Sequence, residues 1–427
     1  FSWVCASSQT LTVYGRRRCQ MVIRASDGPA LRVRAGANAW LKGMGSGLPT
    51  SIVAQVAIAD LQADPEGLFA DPVAFGRGQL DFRLLLDPFR VDIGQFILLD
   101  GDQRISLKGN ASAEDDGWAV STDVDIDRIT SKRLLDLWPL EAVPKTREWL
   151  SQNVATSELF NVKSAFRLTP GEEPRFILGY EFRDTEVRII KTLPPVQDGA
   201  GYATIDGYAY TLVVDRGHVT PPDGGDIDMA GTVMSIPDLR IKPAPARFTL
   251  KTDSTITAAL SLLDQPPFGF LKKAERPVEL ADGRARVTAV LDFALAEKIG
   301  TDDVDYHITA ELNDVVSSKI APGRKLTAGR LRLTANRQGL EIAGPATLSG
   351  VPVDVKWRQG FAPEDKGSSR VDGTIELSPR ALDAFGVALP KGAVTGSGKA
   401  DFTLDLPKGA PGDLVLTSDL SGLTLRI

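Results

Sequence analysis

Histidine is nearly absent from this chain, with His218 and His307 the two present among 427 residues. That scarcity narrows the chemistry, because histidine is the common neutral-pH acid–base group and the commonest metal ligand. Cysteine is as scarce: Cys5 and Cys19 both fall near the start, where a local bridge is open but not fixed by sequence. No run of about 18 apolar residues occurs, so no stretch is suited to cross a bilayer as a helix. Clustered positive charge is missing too. The 49 basic and 55 acidic residues are scattered and sum to −6, which argues against nucleic acid as a partner.

Nucleophile motifs are also lacking. There is no G-x-S-x-G elbow and no S-x-x-K. Gly396–Ser397–Gly398–Lys399 imitates part of a phosphate-binding loop, but Ala393 and Ala400 stand where glycine and a hydroxyl residue are needed. Asp123, Asp125 and Asp127 open like a calcium loop, yet Arg128 and Leu134 occupy the positions for its glycine and glutamate. They read instead as one acidic strand face. Asp223–Gly224–Gly225–Asp226–Ile227–Asp228 reads as a polar hairpin tip. His307 sits at a polar strand position, and His218 beside Gly217 near a turn. The acidic pairs Asp115–Asp116 and Asp302–Asp303 read as solvated loop charge. The chain is read as non-catalytic, with no cofactor and no metal.

What the chain has in abundance is period-two alternation. Leu80, Phe82, Leu84 and Leu86 alternate with polar residues, as do Val287, Ala289, Leu291 and Phe293. Val351, Val353, Val355 and Trp357 repeat the pattern, and so do Ala400, Phe402, Leu404 and Leu406. Successive side chains on a strand point to opposite faces, so each run predicts a strand with one apolar and one wet side. One-faced alternation over many strands predicts an antiparallel sheet. Turns are expected at Asp100–Gly101, Ala281–Asp282–Gly283 and Asn336–Gly339. A loose motif of small residue, Asp and aliphatic recurs at Asp60, Asp238, Asp314 and Asp419.

Helical signals are few. Ser378–Gly386 reads as a cap, a proline at the first helical position, two turns and a glycine stop. Thr130–Leu137 leads in a similar way into Trp138–Val154, WPLEAVPKTREWLSQNV, which holds two of the six tryptophans. This segment is expected to be a helical connector, with Trp138 and Trp149 anchoring it to an apolar sheet face and separating one stretch of sheet from the next.

The order Leu134–Pro139, Thr146–Leu150 and Asn153–Val154, following GQLDFRLLLDPFRVDIGQFILLDGDQRISLKGNAS, resembles the "WP … WL" junction of the AsmA-like superfamily, in its YhdP and TamB branch of bridge-like lipid-transfer proteins. The segment 205–250, with Ser235–Leu239, and the tail Thr417–Leu423 are similar to that family as well, so that the resemblance spans roughly residues 55–427. It implies a periplasmic protein, anchored in the inner membrane by a helix outside this chain, that carries phospholipid along an apolar trough toward the outer membrane.

The resulting expectation is an all-β-dominated fold: a long, curled antiparallel sheet forming an elongated apolar groove, with a few short helices as connectors. The divisions expected are an N-terminal lead over 1–45, a first sheet segment over 46–137, the helical junction over 138–156, and a continuing groove over 157–427. The chain is read as a fragment of a longer protein. Leu80, Phe82, Leu84, Leu291, Phe293, Val353, Val355, Phe402 and Leu404 are the candidate groove lining, and Trp138, Pro139, Trp149 and Leu150 the structural junction. Phospholipid acyl chains are the expected partners. The alternative is a structural or assembly factor of the cell envelope that contacts outer-membrane proteins by strand pairing.

Overall fold

The computed structural model describes residues 17–23, 31–43, 49–64, 67–296, 299–321, 323–365, 367–390 and 392–426. Cys5 and the side chain of Cys19, on which the open question of a bridge turns, lie outside the described part. The alternating runs form antiparallel strands throughout, with a few short helices between them. The chain divides into two compact units, residues 1–187 with 198–212, and residues 188–197 with 213–427.

In the first unit, consecutive strands are hydrogen-bonded neighbours. They run Arg17–Ile23, Leu31–Lys42, Ser51–Ala63, Arg77–Leu86 and Phe89–Asp100. Gln103–Glu114, Gly117–Thr130, Val154–Leu168 and Arg175–Val187 continue the order. A short strand, Val73–Phe75, also pairs with the end of Ser51–Ala63. Helix α1, Ser131–Asp136, follows its sheet strand directly, and the Thr130 hydroxyl caps it by accepting from the Arg133 amide at 3.2 Å. Helix α2, Pro144–Asn153, starts at a proline suited to the first helical position. The two helices do not interrupt the sheet. The strands before and after them pair with each other from Val120 opposite Leu168 to Thr130 opposite Glu158.

In the second unit, Thr232–Ile236, Ala244–Thr255, Asp282–Leu295, Asp305–Ser317 and Leu326–Asn336 are successive neighbours. Gly339–Leu348, Val351–Gly360, Ser369–Leu377, Gly398–Leu406 and Asp413–Thr417 extend the same order. Helix α3, Ile256–Leu263, and the single turn α4, Phe270–Lys273, link the second and third of these strands. Helix α5, Pro379–Phe385, has the predicted form: the Ser378 hydroxyl accepts from the Ala381 amide at 3.3 Å, and Gly386 closes it at φ 75°.

The expected turns at Asp100–Gly101 and Asn336–Gly339 join strands as predicted. At the second, the Asn336 carboxamide oxygen accepts from the amides of Gln338 and Gly339. Ala281–Asp282–Gly283 is different. Gly283 lies inside a strand, at φ 127°, where the register with Asp305–Ser317 shifts. A Cβ there would stand 2.6 Å from the Asn313 carbonyl oxygen, so the glycine serves close strand approach and not a hairpin.

Candidate functional site

Each unit presents an apolar face of its sheet. Cross-strand register assembles it. In the first unit, Val56 stands opposite Leu80 and Ala54 opposite Phe82. Leu80 then faces Phe96, Phe82 faces Ile93, and Leu84 faces Val91. Phe96 pairs with Leu107, Leu107 with Val124, Thr122 with Phe166, and Phe166 with Phe176. Val124 itself faces Ser164, so the row continues beside it through Thr122, and it crosses strand after strand without a charge in it.

One local device keeps that row intact. Along Phe89–Asp100 the residues opposite Leu84, Phe82 and Leu80 are Val91, Ile93 and Phe96, so strict alternation fails between Ile93 and Phe96. The register shifts there against both neighbouring strands, and the extra residue returns Phe96 to the side of Ile93. In the second unit Leu312 and Val315, also three apart, flank Asp314, whose backbone is left-handed at φ 53° and beside a register shift. Asp and Asn tolerate that conformation better than other side chains with a Cβ. Asn161 and Asp184 occupy φ 50° at two further irregularities.

The opposite face is wet and paired. Arg167 donates to the Asp123 carboxylate at 2.6 Å, Lys108 lies 4.0 Å from the same group, and Arg104 lies 3.9 Å from Asp127. The acidic row Asp123, Asp125, Asp127 is thus a strand face compensated across the ladder, as its alternation predicted. Asp223 and Asp226 are held by Ser261 and Thr220 hydroxyls. His307 is exposed on its strand, and His218 lies opposite Asp228.

What distinguishes the apolar row in the first unit is its incomplete cover. Ile52, Val56, Leu80, Phe82, Leu84, Val91, Ile93, Phe96, Leu107, Val124 and Phe166 are all half-buried. Among the described residues of this unit, the buried apolar ones are the small Ala35, Ala37, Ala54 and Ala203 and the larger Val73, Phe75, Ile129 and Phe182. Arg133 from α1 lies against Phe75, its guanidinium 5.1 Å from the ring centre and 2.7 Å from the Asp100 carboxylate.

The second unit is covered at one end. There Ile256 of α3 joins Ala281, Ala285, Val315, Ala328, Leu331, Ala346 and Val353 in a buried cluster, with Ala259 and Leu260 packed against it. Further along the same strands cover ceases. Phe248, Leu291, Phe293, Tyr306, Ile308, Leu333, Trp357, Val371, Phe402 and Leu404 are half-buried, with Ala246, Ala289 and Ala310 buried between them. Phe248 and Phe293 stack at 5.3 Å, and burial pushes the Tyr306 phenol up from its ordinary pKa.

Of the candidate lining residues, Leu80, Phe82 and Leu84 share one face in the first unit, with Ile52, Val91, Ile93 and Phe96 as cross-strand partners. Leu291, Phe293, Val355, Phe402 and Leu404 are half-buried in the second unit. Val353 is 7% exposed and belongs to the cluster under α3, where a ligand would have to displace protein. The junction also differs from expectation. Trp149 is 45% exposed, so it does not anchor α2, whereas half-buried Trp138 donates its indole N–H to the Ala142 carbonyl at 2.5 Å. Pro139 and Leu150 are half-buried. The Arg147 guanidinium donates to the Leu135 carbonyl at 3.2 Å, and ties α2 back to α1. A polar cleft of about 340 Å³ lies between Asp253, Arg284, Arg286, Glu311 and Arg330. Arg284 chiefly, and then Arg286, hydrogen-bond the Asp253 carboxylate and hold its pKa below the ordinary range.

Sequence reading missed α3. Its signals are Thr255 as a cap and the stop at Pro266–Pro267, but ITAALSLL is apolar on nearly every side and carries no helical stripe. No known family model, curated protein or solved structure matches the chain.

Proposed function

We propose that the half-buried apolar faces hold the acyl chains of phospholipid, and that the protein carries lipid without covalent chemistry. One observation carries this reading: an uncharged apolar row that runs through successive strands of a unit while its large side chains stay half-buried. Exposed apolar surface on this scale calls for a partner, and each acyl CH₂ moved out of water contributes about 0.8 kcal/mol. A continuous row offers such gain at every step along it, which suits sliding. The resemblance to AsmA-like bridges supports a periplasmic setting, with an inner-membrane anchor outside this chain and delivery toward the outer membrane.

Native mass spectrometry of the purified protein is expected to find co-purifying phospholipid. Phe82→Asp and Phe96→Asp, each placing a charge in the row, are expected to lose that lipid while far-UV circular dichroism stays unchanged. A wild-type preparation that is free of lipid and fails to take up fluorescent phospholipid would falsify the reading.

A second reading, an envelope assembly factor working by strand pairing, is favoured by Asp413–Thr417. Every residue of that strand is exposed, Leu414, Val415 and Leu416 included, and among the described residues it pairs on one side alone. An open apolar edge is a template for another strand. Crosslinks from Val415 to an outer-membrane protein, in a preparation that carries no lipid, would favour it.

A further inference from the structure

Helix α3 leads into a surface that the sheet face does not account for. Its residues Ile256, Ala259 and Leu260 belong to the buried cluster of the second unit or pack against it. The Ser261 hydroxyl donates to the Asp223 carboxylate and accepts from the Asp223 amide, which fixes the helix. Past that anchor the chain turns outward. Leu263, Pro266 and Pro267 are exposed, and Phe270 of α4 is 51% exposed, its ring stacked on Phe268 at 5.8 Å. A second turn of the same unit, 188–193, is tied to this one by the Thr192 hydroxyl, which donates to the Pro266 carbonyl at 2.6 Å. Arg188 closes that turn by donating to the Leu193 carbonyl at 2.9 Å. It adds Ile189, 53% exposed, and exposed Ile190. Two linked turns thus hold large apolar side chains in solvent.

The same turns are basic. Residues 188–193 and 263–276 carry Arg188, Lys191, Lys272, Lys273 and Arg276 against Asp264 and Glu275, an excess of three positive charges in a chain whose total is −6. Asp264 is buried, and its carboxylate lies 3.7 Å from the Lys272 ammonium. The Lys273 ammonium serves the aromatic pair: it donates to the Phe268 carbonyl at 2.6 Å and lies 6.0 Å from the Phe270 ring centre. Lys191 and Arg276 are exposed, and among the described residues no carboxylate pairs with either.

Exposed apolar turns alone would suit any apolar partner. Uncompensated lysine and arginine among them select a partner with a negative surface. Protein interfaces are depleted in lysine, whereas a bilayer takes up apolar side chains to about 5–10 Å and draws nearby Lys and Arg to anionic headgroups. The backbone suits that setting as well. The amides of Phe268, Gly269 and residues 272–276 donate to acceptors within the segment, and Pro266 and Pro267 have no amide hydrogen. Few backbone donors would lose a partner on leaving water.

We infer that the linked turns 188–193 and 263–276 dock the second unit on a bilayer surface that carries anionic phospholipid. Ile189, Ile190, Leu263 and Phe270 enter the interface, and Lys191, Lys273 and Arg276 meet its headgroups. This goes beyond the lipid reading above, because attachment needs no lipid on the sheet face, and the two can fail separately.

Vesicle flotation of the full chain tests it, with vesicles of phosphatidylcholine alone and of phosphatidylcholine mixed with phosphatidylglycerol. The chain is expected to bind the mixed vesicles about a hundredfold more strongly than the neutral ones, and to be released from them by added salt. Phe270→Ser is expected to weaken binding to the mixed vesicles about tenfold. Lys191→Glu is expected to do the same there and to change nothing on neutral vesicles. Both side chains are exposed, so an unchanged urea midpoint is expected and shows that the variants are folded. Equal binding to the two vesicles, no flotation, or flotation that neither substitution weakens overturns the inference. So does a dimer in sedimentation velocity that Phe270→Ser dissolves without vesicles present, which would assign the patch to a second copy of the chain. Salt-sensitive flotation of a preparation free of phospholipid would uphold the docking while the lipid reading fell, and co-purifying lipid without flotation would do the reverse.

Discussion

The two units use the same pattern for different ends. Both alternate apolar and polar residues, both are antiparallel, and both compensate charge across the ladder of the wet face. In the second, an apolar helix folds over one end of the face, and Ala285, Val315, Ala328 and Val353 are sealed beneath it. In the first, the corresponding large side chains from Leu80 to Phe166 remain half-buried. Binary patterning decides which side of a strand is apolar; what covers that side is decided by segments outside the pattern.

The sharpest way to break the comparison is to truncate one large residue in each unit. Leu331→Ala, beneath α3, is expected to lower unfolding stability by about 2–4 kcal/mol, because removing a sealed side chain leaves a cavity. Phe82→Ala should cost less than about 1.5 kcal/mol, since its ring is already partly in water, yet reduce lipid retention. Urea titration of both variants measures the contrast; equal losses would mean that both faces are sealed alike. Next in size come the helix caps. Ser378→Ala removes the hydroxyl that receives the Ala381 amide, with an expected loss of about 1 kcal/mol. Thr130→Ala is expected to lose a similar amount at α1, and a local loss at each helix appears as faster amide exchange at 381 and 133.

The smallest effect is electrostatic. Hydrogen bonds from Arg358 and then Arg370 pull the Asp372 carboxyl down to about 2. A folded-state value below the unfolded one contributes stability that is full above about 4. It fades as pH falls from there toward 2. Asp372→Asn is therefore expected to lower stability slightly above about pH 4, leave it nearly unchanged near pH 2, and so flatten that acid limb. The pair is solvent-accessible, which keeps the effect small.

Much of this was legible beforehand, and the reasons are local. Alternation at Leu80–Leu86 and Ala400–Leu406 specified both the strand and its apolar side. The cap and stop of Ser378–Gly386 specified α5. Two kinds of feature were not legible. The first is α3, whose apolar residues on nearly every side read equally as a buried strand. The second is the set of irregularities: Gly283 reads as a turn until a neighbouring carbonyl oxygen is seen 2.6 Å from where its Cβ would be. Trp149 misled for a related reason. A large aromatic is expected to be buried, but the tie between α1 and α2 comes from Arg147, which leaves the indole in solvent.

The irregular step at Gly94–Gln95 has a consequence for inheritance. Deleting Gly94 would make Phe89–Asp100 alternate without a break, and by every count of pattern the strand would look improved. The row would survive it, because the bulge is what absorbs the extra residue, and Val91, Ile93, Phe96 and Leu98 would fall on one side of a regular strand. Deleting Asp81, in a run that alternates already, would instead part Phe82 and Leu84 from Leu80, because a one-residue slip exchanges the faces. That strand would turn Phe82 and Leu84 to the wet face and Arg83 toward the row. In this chain a change of length by one residue is therefore a more radical event than most changes of residue, and a sheet of this kind can tolerate drift in its side chains more readily than drift in its spacing.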